Sequence, residues 1–158
     1  MGEVKIEIAT IDDVSDIAEI ACQTGKIHEE VLPNYFKPSD AKGKIKYLQE
    51  AIESQYSEVF KATNGGRIVG YLVLYIWDHP AEYFVYPEYG FIGSLGVDEK
   101  YRHRGIGTLL IKTAENWCKE HDVGAIELDV FTFNQNAERL YANLGYMEMK
   151  RNRLKILK

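Results

Sequence analysis

Phe91-Ile92-Gly93-Ser94-Leu95-Gly96-Val97-Asp98-Glu99-Lys100-Tyr101-Arg102-His103-Arg104-Gly105-Ile106-Gly107-Thr108-Leu109-Leu110 reads as a strand, a basic glycine-bearing turn and the opening of a helix. From Ile106 the apolar residues Leu109, Leu110, Ala114, Trp117 and Cys118 recur at the helical period. Such a helix turns its positive end and its unpaired first-turn N–H groups towards whatever the preceding loop holds. Gly105 and Gly107 lack Cβ atoms, so an anion can come close to the backbone there, and Arg102 and Arg104 add positive charge. The stretch is expected to cradle a phosphate. The functionless alternative is a sharp strand-to-helix turn with solvated arginines.

Three nucleotide motifs compete for this turn. A P-loop needs a lysine and then Ser or Thr after its last glycine, whereas Gly107 is followed directly by Thr108. A dinucleotide fingerprint places its third glycine or alanine at Leu110, although Asp129 lies downstream at about the right separation. What remains is Arg/Gln-x-x-Gly-x-Gly/Ala after a strand ending in Leu-x-Val. Arg102-His103-Arg104-Gly105-Ile106-Gly107 after Leu95-Gly96-Val97 matches it. This resembles the GNAT family of N-acetyltransferases, in which a loop of this form holds the pyrophosphate of acetyl-CoA.

The chain of 158 residues is 46% hydrophobic and 27% charged, which fits one domain, 1–158, with a sizeable core. No apolar run approaches the ~20 residues of a membrane span, so no membrane partner is expected. The start Met1-Gly2-Glu3-Val4-Lys5 lacks a secretory apolar region, which leaves a cytoplasmic location by default, and Ile6 stands where myristoylation needs Ser or Thr. A net charge of −5 argues against nucleic acid. The basic cluster Lys150, Arg151, Arg153, Lys155 and Lys158 reads as a solvated terminal strand pair. Cys22 and Cys118 fall on apolar helix stripes and read as buried small hydrophobes, and no metal site is expected.

Along the chain, Val4, Ile6 and Ile8 alternate as in a short strand. Thr10, Asp12 and Asp13 open a helix expected to stop near Gly25. Lys26 to Pro38 is expected to be an aromatic loop, after which Ser39 caps a second helix with Ala41, Ile45, Leu48 and Ile52 inward. Val59 to Ala62 and Ile68 to Trp77 form a hairpin around Asn64-Gly65-Gly66. The second of these strands is almost continuously apolar, so helices should cover both faces of the sheet. Asp78 to Tyr89 reads as a loop or ragged hairpin extension. The helix from Ile106 to His121 then crosses over to a parallel strand, Ala125 to Phe131. A short helix capped by Asn134 ends at Gly145, and Tyr146 to Met149 with Leu154 to Leu157 make a closing antiparallel pair.

A second motif, Asn134-x-x-Ala137-x-x-x-Tyr141-x-x-x-Gly145-Tyr146, also resembles the GNAT pattern, and the two stand in the family's order. The resemblance implies an α/β (α+β) fold: a mixed, mostly antiparallel sheet of six or seven strands, helices on both faces, and parallel fourth and fifth strands that splay apart. In that V the family's pantetheine arm pairs with the strand at Leu95 to Val97. It further implies an acetyl-CoA site made by Leu95, Gly96, Val97, Arg102, His103, Arg104, Gly105, Ile106, Gly107, Thr108, Asn134, Asn136, Ala137 and Tyr141, with acetyl-CoA as co-substrate and no metal.

An amine attacking a thioester must lose a proton, its oxyanion needs hydrogen-bond donors, and the departing thiolate leaves more easily if protonated. Tyr141 suits the acid, because a phenol with a reference pKa near ~10 stays neutral at working pH. Backbone N–H groups near Leu95 and Gly96 suit the oxyanion, and Gly96 is expected to mark a strand bulge. Asp129 occupies the place of the glutamate base in the Leu-Glu-Val of some relatives; being shorter, it favours relay through water, and Glu127, Glu82, Glu88 and His28 are rivals. The segments Lys26 to Pro38 and Asp78 to Tyr89 flank the acceptor end of the family fold, so His28, Glu29, Tyr35, Glu82 and Tyr83 are candidate substrate contacts. Their acidic, aromatic character favours a small cationic amine. A protein or peptide N-terminus is the alternative acceptor, a non-catalytic acyl-CoA-binding module is the alternative function, and a second copy of the chain, as a homodimer, is a further candidate partner.

Overall fold

The computed structural model describes residues 2–80 and 82–157. Its elements are β1 (Val4–Ile8), α1 (Val14–Val31), α2 (Ala41–Glu53), β2 (Ser57–Asn64), β3 (Arg67–Asp78), β4 (Glu88–Val97), α3 (Ile106–Glu120), β5 (Ile126–Leu128) and α4 (Gln135–Asn143). They build one sheet in the order β1-β2-β3-β4-β5, antiparallel except for the parallel β4–β5 pair. The mixed α/β architecture is the one expected, but the described sheet has five strands rather than six or seven. The closing pair is absent among the described residues, and Lys158 of the basic cluster lies outside them, as does Met1. Met147 and Leu157 are more than four-fifths exposed, so their alternation finds no face to pack on. The outer edge of three-residue β5 is also too short to template a long partner. No helix among the described residues is long and apolar enough to cross a membrane.

β3 explains the two-layered core. Ile68, Tyr71 and Val73 pack towards α1 and α2, with Ile17, Ala18, Ala21 and Leu48. Val69, Leu72 and Leu74 pack towards α3, with Ile106, Leu110, Ile111 and Ala114. Each such fully buried aliphatic side chain contributes roughly 1.5–3 kcal/mol. The phase slips between Ile68 and Tyr71 because Ala62 pairs with Gly70 while Thr63 pairs with Ile68, leaving Val69 as an extra residue.

α1 does not stop at Gly25 but runs to Val31, so the first half of the expected loop is helical. Gly25 is a contact glycine: a Cβ there would stand 2.4 Å from Ser39 Oγ. The chain folds back across it, with the Ser39 N–H donating to Glu29 Oε1 at 2.6 Å. Ser39 is therefore tied to α1, and the cap of α2 is Asp40, whose carboxylate accepts from the Gly43 N–H. Cys118 is buried as expected, with its thiol pushed up to about 11 by burial, whereas Cys22 is only half-buried.

The bulge in β4 is at Gly93, not at Gly96. Ser94 pairs with Val73 and Ile92 with Leu74, so Gly93 is the unpaired extra residue. Gly96 instead lies opposite Tyr71, where a Cβ would stand 2.5 Å from the tyrosine ring and 2.7 Å from Thr24 Oγ1. The bulge sets which edge each amide faces. The Asp98 N–H donates to the Val69 carbonyl, and antiparallel ladder bonds alternate, so Gly96 and Ser94 also face β3 while Leu95 and Val97 face the other way. On that side β5 pairs only with Gly90, Phe91 and Ile92. Beyond Gly93 the two parallel strands part, leaving the backbone edge at Leu95 and the N–H of Val97 open to a ligand, while the Val97 carbonyl accepts from Arg102.

Candidate active site

One end of the opening is the basic turn. Gly105 has φ 79°, a left-handed conformation that a side chain would strain, and nothing lies within 4 Å of the place its Cβ would take. The Leu109 N–H closes the first helical bond onto the Gly105 carbonyl at 3.0 Å, so the amides of Ile106, Gly107 and Thr108 belong to the free first turn. This is a positive, uncrowded helix end that fits the pyrophosphate of acetyl-CoA. The side chains divide differently from the expectation. Arg102 folds back, its Nε donating to the Val97 carbonyl at 3.0 Å, and the Arg104 guanidinium sits 5.3 Å from the centre of the Tyr101 ring. His103 is exposed, with φ 61°. Ile106 is a core residue and offers only its backbone. Gly107 faces Leu140 of α4, 3.4 Å from a would-be Cβ, so its missing side chain also serves the approach of α3 and α4.

α4 starts where its motif begins, the Asn134 side chain accepting from the Ala137 N–H at 3.3 Å. Asn136 is exposed and its Oδ1 lies 3.5 Å from Arg139 Nη2. Tyr141 packs at the edge of the α3 core, edge-on to Tyr146 with ring centres 5.8 Å apart. Burial pushes its phenol up to about 12, which keeps it protonated throughout the working range.

Beside the opening lies a cavity of about 480 Å³, floored by Gly93 and Ser94 at the bulge and walled by Tyr47 and Lys44 of α2 and by His28, Glu29 and Phe36. Of the candidate substrate contacts, His28 and Glu29 line it. Tyr35 is mainly exposed, its ring edge-on to Phe36 at 5.0 Å. Glu82 and Tyr83 do not line it: Tyr83 is 82% exposed and stacks on Phe84 at the tip of the β3–β4 hairpin. The cavity is not an acidic groove. Glu29 and Asp40 are matched by Lys37 and Lys44, because α2 supplies the wall that the 78–89 segment was expected to form.

His28 is pushed towards its neutral form by burial. Its ring lies 5.6 Å from Phe36, 5.1 Å from Phe131 and 5.7 Å from Phe133, and burial lowers its pKa. This aromatic roof joins the end of α1 to the loop after β5. Tyr47, Gly93, Ser94, Phe131 and Phe133 join the site without a local motif that marks them. Only the alternation of Phe131 and Phe133 after the last strand signals those two.

The carboxylates of the β5 segment do not line that cavity. Ile126 and Leu128 pack towards α3, so Glu127 between them points to the opposite face, the face of the cavity. Asp129 is exposed, one residue beyond the end of β5. The Tyr89 phenol is raised by burial and then by the charges of Glu127 and Asp129, which puts both carboxylates near it.

Comparison with known proteins agrees with this arrangement. The sequence model described as the acetyltransferase (GNAT) family matches residues 25–146. An N-alpha-acetyltransferase of Sulfurisphaera tokodaii is 27% identical over 152 residues, covering 94% of this chain and 83% of that protein. N-alpha-acetyltransferase 30 of Xenopus laevis is 44% identical over 62 residues, which are 39% of this chain, and the match spans only 23% of the frog protein's length. Among solved structures, a tetramutant of the BH1408 protein from Bacillus halodurans superimposes with a TM-score of 0.89 at 28% identity, over 97% of this chain and 99% of that one.

Proposed function

The chain belongs to the acetyltransferase (GNAT) family, and from that premise we propose that it transfers an acetyl group from acetyl-CoA to the free α-amino group of a peptide or protein. The observation that carries the reading is the parting of β4 and β5 beside the cavity. A donor arm lying along the open edge at Leu95 and Val97 and an amine entering over Gly93 and Ser94 come to the same place. Acetyl-CoA supplies the activated acyl group as a thioester. The first turn of α3 binds its pyrophosphate, the backbone of Leu95 and Val97 orients the arm, and Tyr141 gives a proton to the departing sulfur. A carboxylate of the β5 segment receives the proton of the ammonium; the family resemblance points to Asp129, and Glu127 is its rival.

An N-terminal acceptor is favoured by the match to an N-alpha-acetyltransferase along 94% of the chain and by the balanced charge of the cavity, which gives a polycation no special hold. The second reading, a small cationic amine, draws on the carboxylates of Glu127, on the cavity face, and of Asp129 beyond the strand end.

The test is thiol release from acetyl-CoA with four acceptors: a peptide with a free N-terminus, the same peptide blocked at its N-terminus but carrying a lysine, spermidine, and an aminoglycoside. The free peptide is expected to turn over fastest and the blocked one not at all. Turnover confined to spermidine or the aminoglycoside would replace the peptide reading with the second.

A further inference from the structure

His79 and Glu127 meet on the cavity face, and neither belongs to the two family motifs. Glu127 pairs with Phe91 across β4–β5, and Phe91 stacks on Trp77 at 4.2 Å. Trp77 stacks in turn on Tyr75, which packs against the α1–α2 core. Glu127 is therefore on the same side of the sheet as α1, α2 and the cavity. The next pair along, Ile92 with Leu128, is the last before the strands part. Glu127 thus stands at the foot of the opening.

His79 follows β3 and is held on every side. Its backbone N–H donates to the Pro87 carbonyl at 2.8 Å. Its imidazole lies between two rings, Phe84 at 3.7 Å and 2° and Tyr89 at 4.2 Å and 18°. Nε2 is 3.9 Å from Glu127 Oε1, and the two side chains are only 11% and 21% exposed. Stacking on both faces fixes the imidazole plane, which sets Nε2 beside the carboxylate, beyond hydrogen-bond distance but close enough to wall it off from solvent. Asp129 has no such support: it is exposed and past the end of the strand.

We propose that Glu127, rather than Asp129, is the catalytic carboxylate that takes the proton from the acceptor's ammonium, and that His79 is its positioning residue. The assignment rests on the acetyltransferase reading above. In the step, the ammonium gives one proton to Glu127, and the freed nitrogen lone pair forms the N–C bond to the acetyl carbonyl carbon. The C–S bond breaks with its electron pair on sulfur. Tyr141 protonates that sulfur and recovers a proton from the same nitrogen, and the proton on Glu127 passes to solvent. The titratable and charged groups facing Glu127 are His79 from the end of β3, Tyr89 from β4 and Asp129 beyond its own strand. A second carboxylate here helps to draw the ammonium in.

The experiment measures kcat and KM against pH, with the free-N-terminus peptide, for the unaltered protein and for Glu127→Gln, Asp129→Asn, His79→Ala and His79→Gln. The melting shift produced by acetyl-CoA reports folding and donor binding in each. Glu127→Gln is expected to lose about 10²-fold in kcat near pH 7, with the loss shrinking as pH rises and the amine deprotonates in solution. Asp129→Asn is expected to lose less. His79→Ala is expected to lower kcat roughly tenfold with an unchanged melting shift, and His79→Gln, which keeps a polar side chain of similar reach beside Glu127, to restore most of it. If Glu127→Gln shows no melting shift, Glu127→Asp takes its place, with the same pH-dependent loss expected. An Asp129→Asn loss as large as that of Glu127→Gln overturns the assignment, and so does a Glu127→Gln loss that is absent or constant with pH. If the unaltered protein acetylates no amine, the acetyltransferase reading itself fails, and the assignment with it.

Discussion

Tyr141 shows how one atom separates two roles. Its ring is part of the packing between α4 and α3, and its hydroxyl is the proton donor proposed for the leaving sulfur. Tyr141→Phe keeps the ring and removes only the oxygen, so the melting temperature should move little while kcat falls about 10²-fold or more. Because burial holds the phenol up at about 12, it stays protonated over the whole range in which the enzyme is assayed. The deficit should therefore be the same from about pH 6 to about pH 9, in contrast to the pH-dependent loss expected at Glu127. Steady-state kinetics at several pH values distinguish the two, and an undiminished kcat would take Tyr141 out of the chemistry.

At the scale of the strand, β4 carries two glycines whose removal should be felt differently. A Cβ at Gly96 would press on Tyr71 at 2.5 Å and Thr24 at 2.7 Å. Tyr71 has no slack: it is fully buried and its hydroxyl is bonded to Ser94 Oγ at 2.7 Å. A Cβ at Gly93 would meet Tyr75, 2.6 Å away, but that ring is only half-buried rather than enclosed. Gly96→Ala should therefore cost about 1–3 kcal/mol and Gly93→Ala less. In a chain of this size each kcal/mol lowers Tm by about 2–4 °C, so thermal unfolding resolves the difference. Equal melting temperatures would mean that α1 yields as easily as the Tyr75 ring. Gly93→Ala should still depress activity, because it crowds the floor of the cavity.

For the whole molecule, the open edge and the positive helix end act together. Acetyl-CoA should raise the melting temperature, since a ligand that binds only the folded state stabilises it by mass action, about 2.7 kcal/mol at a hundredfold excess over Kd. NAD should not, because Leu110 stands where a dinucleotide fingerprint needs its third glycine or alanine. Equal shifts with the two ligands would remove the cradle assignment.

Much of this was legible before any coordinates. The apolar run of β3 announced a sheet covered on both faces, because a strand with no polar side has nowhere else to go. Gly105 marked the turn, since a left-handed residue before a helix asks for glycine, and Asn134 with Gly145 bounded α4 by ordinary capping chemistry. These are local signals, written within a few residues of one another. What the tertiary structure alone decided is non-local. Gly25 reads locally as a helix stop and Gly96 as a bulge, yet each is a glycine because a side chain or helix distant in sequence presses on it. The true bulge at Gly93 depends on strand register, and so does the choice of which amides face the opening. The acceptor wall comes from α2, and His79 reaches Glu127 across 48 residues of chain; no spacing rule encodes either, because both follow from how the hairpin tip and α2 settle on one face of the finished sheet.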